Sequence, residues 1–142
     1  MIYHFKLHKE KKGYWAECLE IPQCVTQGES LQSLRDCCHE AINLYLDEPE
    51  DSKEIFPLPF NNLKARKDIL EVEVESSIAF AFLMRRTRLV KGLTQHEMKD
   101  LLQFKNLFAY QKLEMAKYAN PTLKSLRKIK DCIPDFSFNF LF

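Results

Sequence analysis

At Ser76-Ser77 the apolar rhythm of this chain changes, and that change constrains its fold more than any other feature. Just before it, ILEVEVE (69–75) alternates without a fault, with Val72 and Val74 on one side and Glu71, Glu73 and Glu75 on the other. That is the pattern of a strand buried on one face. Just after it, Ile78, Phe82, Arg85 and Leu89 recur on one stripe at helical spacing, and Gly92 is a stop signal. One segment cannot serve both periods, so two kinds of packing meet at this point.

Upstream, IYHFKLH (2–8) alternates apolar and polar positions and predicts a half-buried strand. Lys9 to Gly13 is a polar turn, Tyr14 to Leu19 a second strand, and Cys24 to Gln27 a third, with Ile21-Pro22 between them. Gly28 ends the third strand and Ser30 is an N-cap candidate. From there Leu31, Leu34, Cys38, Ala41, Ile42 and Tyr45 form one helical face running to about Leu46. Residues 47–68 carry three prolines and two asparagines and read as loop before the last strand. Residues 1–75 therefore predict an α+β domain of order β-β-β-α-β, with one helix on one sheet face.

Downstream, residues 76–132 predict an all-α domain. In LTQHEMKDLL, Thr94 with Glu97 three residues on is a capping box, and Met98, Leu101 and Leu102 supply a buried side. Only a short turn separates this helix from the next, Asn106 to Met115, and Asn120-Pro121 opens a last one from Thr122 to about Asp131. Four helices with a tight turn between the second and third make a helix-turn-helix arrangement.

Charge divides at the same place. Residues 1–75 carry 9 Lys/Arg against 15 Asp/Glu, a net of −6, and residues 76–142 carry 12 against 5, a net of +7. An acidic front suits a cationic protein, and a basic rear suits nucleic acid. No apolar run approaches the ~20 residues of a membrane-crossing helix, and the first residues lack the order of a secretory signal. The expectation is a cytoplasmic protein whose five cysteines stay reduced.

A recognition helix reads base edges with short or amide side chains near its start and holds phosphates with cations around it. Asn106 and Gln111 are candidates for adenine edges, Lys105, Lys112 and Lys117 for the surrounding charge, and Gln95 for a phosphate at a helix start. The competing reading is a small bundle whose lysines are a solvated face.

The residues GLTQHEMKDLLQF, AYQKLE and NPTLKSLRKI resemble the helix-turn-helix of Xre/Cro-type repressors, through Leu93–Gln95, Met98, Leu102, Leu113–Glu114 and Pro121–Leu123. Lys99 stands where a small residue is usual and Gln103 where a glycine is usual, and the turn is one residue longer than the commonest form. GYWAECLEIPQCVTQGESLQSL followed by a helix, with IFPLPF at 55–60, resembles the N-terminal domain of HicB-type antitoxins, with Gln23 where a glycine is common. The resemblance implies an antitoxin of a type II toxin-antitoxin system and not an enzyme. Its front domain, resembling a truncated ribonuclease H fold, would mask a small basic HicA-like ribonuclease toxin, and its rear domain would repress its own operon at operator DNA. Tyr14, Trp15 and Glu17 are the candidate toxin-binding residues. The alternative is a stand-alone helix-turn-helix regulator that senses a ligand.

Metal chemistry is not indicated. Zinc sites use paired spacings such as Cys-x2-Cys, which neither Cys18/Cys24 nor the adjacent Cys37-Cys38 provides. Cys38 lies on the apolar stripe, and Cys18 and Cys24 are expected beneath that helix as small hydrophobes. Glu17, Glu20 and Glu29 are scattered by strand alternation and read as solvated, not as a two-metal nuclease centre. No cofactor is expected. Finally, DFSFNFLF puts Phe136, Phe138, Phe140 and Phe142 on one face of a would-be strand at 133–142, predicted to pair with a second copy in a homodimer or larger oligomer.

Overall fold

The computed structural model describes residues 1–64 and 66–142. They form a mixed α+β chain with one four-stranded antiparallel sheet and five α-helices. Two compact units contain them: Met1–Leu46 with Phe56–Glu75, and Asp47–Ile55 with Ser76–Phe142. Among the described residues no helix is long and apolar enough to cross a membrane.

In the first unit the elements run β1 (Ile2–Lys9), β2 (Tyr14–Cys18), β3 (Val25–Gly28), α1 (Leu31–Leu46) and β4 (Ile69–Glu73). The sheet order is β3-β2-β1-β4. Residues facing one another across antiparallel strands share a face. The register Tyr3↔Val72, Phe5↔Leu70, Phe5↔Cys18 and Leu7↔Ala16 therefore gathers one apolar face. Onto it α1 lays Leu34, Cys38, Ile42 and Leu46, all buried. Each fully buried Leu or Ile contributes about 1.5–3 kcal/mol, so this stripe seats the helix. Ser30 caps α1 by accepting from the Ser33 amide at 3.1 Å, while Ser33 Oγ accepts from the Ser30 amide at 3.0 Å. Gly28 is required where β3 meets α1, because a Cβ there would lie 2.5 Å from the Leu34 nitrogen.

Three details differ from expectation. Leu31 is exposed, since it sits in the first turn beyond the edge of the sheet-facing stripe. Cys24 lies in the turn before β3, its amide donating to Ile21 O at 2.8 Å, although it is buried as expected. Residues 47–55 pack with the helical unit, where Arg85 Nη1 donates to Glu48 O at 3.2 Å.

The second unit contains α2 (Ser76–Val90), α3 (Gln95–Leu101), α4 (Leu107–Glu114) and α5 (Leu123–Cys132). Residues 78–85 of α2 are buried on every side, so α2 is its central rod and not a one-stripe surface helix. Around it Met98, Leu102, Tyr110, Leu113, Ile129 and Ile133 complete the core. The last helix is capped by Thr122, whose hydroxyl accepts from the Ser125 amide at 3.2 Å.

The expected C-terminal strand is absent. Phe138–Phe140 is a short 3-10 turn, and the backbone is satisfied locally, with Phe136 N on Ile133 O at 3.0 Å and Leu141 N on Phe138 O at 3.0 Å. Phe136 is buried against Phe80, ring centroids 6.3 Å apart, and Phe138 stacks edge-on to it at 4.6 Å. Alternation alone does not make a strand when no ladder partner is in reach and one ring already has an intramolecular slot. Phe136, Phe138, Phe140 and Phe142 thus do not form one ribbon face. Phe138 and Phe140 are half-buried, and Phe142 projects into solvent.

Candidate nucleic-acid interface and open sheet face

Within the helical unit, the α3–turn–α4 segment is shaped by its caps. Thr94 Oγ1 accepts from the Glu97 amide at 3.1 Å and Glu97 Oε2 from the Thr94 amide at 2.7 Å, which is the capping box expected from the sequence. At the other end of α3, Gln103 N donates to Asp100 O at 3.1 Å and Phe104 N to Lys99 O at 3.0 Å. This is a Schellman closure, and it forces Gln103 to φ 56°, the left-handed region. Gln103 thus adopts a conformation that glycine takes more readily. Three residues later Asn106 Oδ1 accepts from the Ala109 amide at 2.8 Å and starts α4.

Behind the turn lies a buried polar network. Arg88 of α2 donates twice to Glu114 of α4, Nε to Oε1 at 2.6 Å and Nη2 to Oε2 at 3.0 Å. The Tyr110 hydroxyl makes a short hydrogen bond to Glu114 Oε1. Burial, then the Glu114 carboxylate, push the Tyr110 phenol well above its ordinary value. Burial alone would lower Arg88, but its bond and charge contact with Glu114 outweigh that and raise it. From α3, Gln95 Nε2 donates to Glu114 Oε2 at 3.1 Å, and Gln111 Nε2 donates to Gln95 Oε1 at 3.0 Å. One carboxylate therefore ties together α2, α3 and α4.

The candidate DNA-contacting residues thus divide. Gln95 and Gln111 are brought together, but their amide nitrogens bind helix to helix, and Asn106 spends its carbonyl on a cap. What faces solvent is cationic and aromatic. Lys105 and Lys112 are exposed, and Lys112 Nζ lies 4.8 Å over the ring of Phe108, one helical turn earlier. Lys117 sits in the loop after α4 over Tyr118 at 5.4 Å. Phe108, 54% exposed, is a surface aromatic that sequence reasoning missed. Its signal was an aromatic four residues before a lysine on a helix with Tyr110 and Leu113 buried. Lys128 of α5 was also missed: its Nζ donates to Gln103 O at 3.2 Å and lies 5.5 Å over Phe104, bracing the turn.

In the sheet unit, register places Trp15 and Glu17 on the face away from α1, with Lys6, His8, Val25, Gln27 and Glu71. Tyr14, expected beside them, falls on the opposite face because successive side chains alternate. His8 stacks on Trp15 at 3.9 Å, and its Nε2 meets Glu17 Oε1 at 3.1 Å. Exposed Val25 and Ile2 lie on this face too. It is an aromatic and aliphatic surface with glutamates among its residues.

Glu20 corrects the expectation of a solvated carboxylate. It is buried, and it accepts from His4 Nδ1 at 2.6 Å, the His4 amide at 3.1 Å, the Phe60 amide at 3.2 Å and the Cys18 thiol at 3.4 Å. Burial pushes the Cys24 thiol up to about 11 and the Cys38 thiol up to about 12, and raises Cys18 further. Thiols held protonated this strongly behave as core side chains. Among the described residues no group of three or more His, Cys, Asp or Glu is placed to hold a metal ion. No family model matches this chain, and no curated protein is significantly similar to it.

Proposed function

We propose that this protein is an antitoxin and autorepressor of the HicB kind, acting as a homodimer or larger assembly in the cytoplasm. Its helical unit binds operator DNA, and its sheet unit, a truncated ribonuclease H-like fold, covers a small basic HicA-like ribonuclease toxin. The observation that carries the DNA half is the α3–turn–α4 pair, braced by Glu114, which leaves Phe108 and Lys112 outward on α4 and Lys105 exposed in the turn before it. A rigid helix edged with cations is what a major groove accepts, and two-fold operators call for two copies. The toxin half rests on the sequence resemblance and on the open sheet face, where Trp15 and Glu17 offer an aromatic anchor and a carboxylate to a cationic partner. Neutralisation on this reading is steric and electrostatic and needs no chemistry from the chain.

Binding to its own promoter fragment tests the DNA half. Affinity should fall steeply with salt, and Lys105→Ala with Lys112→Ala should lower the slope of log K against log salt by about 2. A slope unchanged by the pair of substitutions refutes the α4 assignment. Copurification with a small basic protein encoded beside the gene tests the toxin half, and Trp15→Ala should release that partner. A chain that represses its promoter but retains no protein partner is instead a stand-alone, ligand-sensing regulator.

A further inference from the structure

The hydrogen bonding of His4 points to a second site in the sheet unit, on the same sheet face as Trp15 but at the β4 edge. Its side chain is 8% exposed and its Nδ1 is held by the buried Glu20. Glu20 accepts two backbone amides as well, so it acts as an acceptor and Nδ1 is the donor. The opposite ring nitrogen, Nε2, makes no hydrogen bond to a described residue, yet among the described residues no fully buried side-chain nitrogen or oxygen lacks a partner. Nε2 therefore reaches open space. His4 lines a cleft of about 350 Å³ with Arg35, Leu63, Lys64, Arg66, Ile69 and Glu71. That volume is at the small end for ligand sites.

The charges in this cleft run against those of the unit around it. Arg66 is committed to Asp68, bonding both carboxylate oxygens at 3.0 and 2.8 Å. Arg35 and Lys64 have no carboxylate within ion-pair distance among the described residues. Glu71, opposite His4 in the β1–β4 register, is the one carboxylate lining the cleft. A guanidinium, an ammonium and an imidazole whose far nitrogen is fixed by a carboxylate make a donor set for a small oxyanion. We propose that the cleft binds a phosphate group, with Arg35 and Lys64 supplying charge and His4 Nε2–H donating to a phosphate oxygen. The buried Glu20 acts as a positioning residue: it fixes the ring and leaves Nε2 as the only edge a ligand can meet.

The test follows the His4 imidazole resonance of the intact protein by NMR, identified by its loss in His4→Asn. Inorganic phosphate is titrated at constant ionic strength against chloride, in parallel with a nucleoside 5′-monophosphate. A saturable shift of His4 is expected with phosphate and not with chloride. Arg35→Gln and Lys64→Gln, both at exposed positions, should each weaken it by about tenfold. Tighter binding of the mononucleotide assigns the site to phosphate monoesters, and equal binding assigns it to the free ion; both support the cleft. A His4 resonance that phosphate leaves in place, or that moves equally in the two variants or in chloride, overturns the proposal.

Discussion

The two helix ends that flank α3 offer a paired test of how this unit is held. At the end of α2, Gly92 N donates to Leu89 O at 3.0 Å and Leu93 N to Arg88 O at 3.1 Å, with Gly92 at φ 68°. At the end of α3 the same closure is made with Gln103 at φ 56°. One left-handed position thus has its glycine and the other lacks it. A side chain in that region costs about 1–2 kcal/mol, and glycine's freedom in the unfolded chain cancels about 0.5–1 kcal/mol of the difference. Gln103→Gly should therefore stabilise the helical unit by about 0.5–1 kcal/mol, which is about 2–8 °C in Tm for a unit of this size. Its exposed side chain makes no hydrogen bond to a described residue, and its backbone oxygen keeps the bond from Lys128. Gly92→Ala should destabilise by the same amount, because a Cβ there meets nothing within 4 Å and adds no clash. Thermal and urea unfolding followed by helical circular dichroism reads both. Changes of equal sign, or a Gln103→Gly protein no more stable than the parent, would refute the assignment of these closures.

Further outcomes follow from the buried groups. Glu114→Ala should cost the helical unit about 3–5 kcal/mol, since Arg88 is left charged and buried; a cost below about 1 kcal/mol would show that the pair is not structural. Alkylation at mildly alkaline pH should modify Cys37 and Cys132, which are half-buried, well before Cys18, Cys24 and Cys38, which are buried with raised pKa values; early loss of the buried thiols contradicts the packing of α1. Both units should weaken at high pH. A group whose pKa is raised on folding stabilises fully below its unfolded value and loses that contribution as pH climbs. The sheet unit should thus soften above about pH 9.0 through its thiols, and the helical unit above about pH 10.0 through Tyr110. Tyr110→Phe should flatten the second dependence, and a slope that survives it assigns the effect elsewhere. Phe136→Ala should destabilise the helical unit by about 3–5 kcal/mol without altering sedimentation; a shift in oligomeric state would restore the tail as an interface.

Where regular structure lies was legible because periodicity is a local property. ILEVEVE did form a one-sided strand, Thr94 with Glu97 did start a helix, and the stripe through Leu34, Cys38 and Ile42 is the buried side of α1, whereas the same alternation in DFSFNFLF made no strand. The candidate site was less legible. Asn106, Gln95 and Gln111 look free in a sequence, but whether an amide reads a base or bonds a neighbouring helix depends on what folding brings within 3 Å of it. Tyr14 was misplaced by a single step of alternation relative to Trp15.

By itself the sequence determined the order of elements as far as α5, the point at Ser76 where sheet gives way to helix, and the split of charge. Those depend on residues a few positions apart, whose spacing is set by the chain itself. Only the tertiary structure decided that Glu20 is buried beside His4, that Glu114 gathers three helices, and that Phe136 turns inward against Phe80. Each joins residues between 16 and 56 positions apart. Nothing in local spacing records which distant groups desolvate one another.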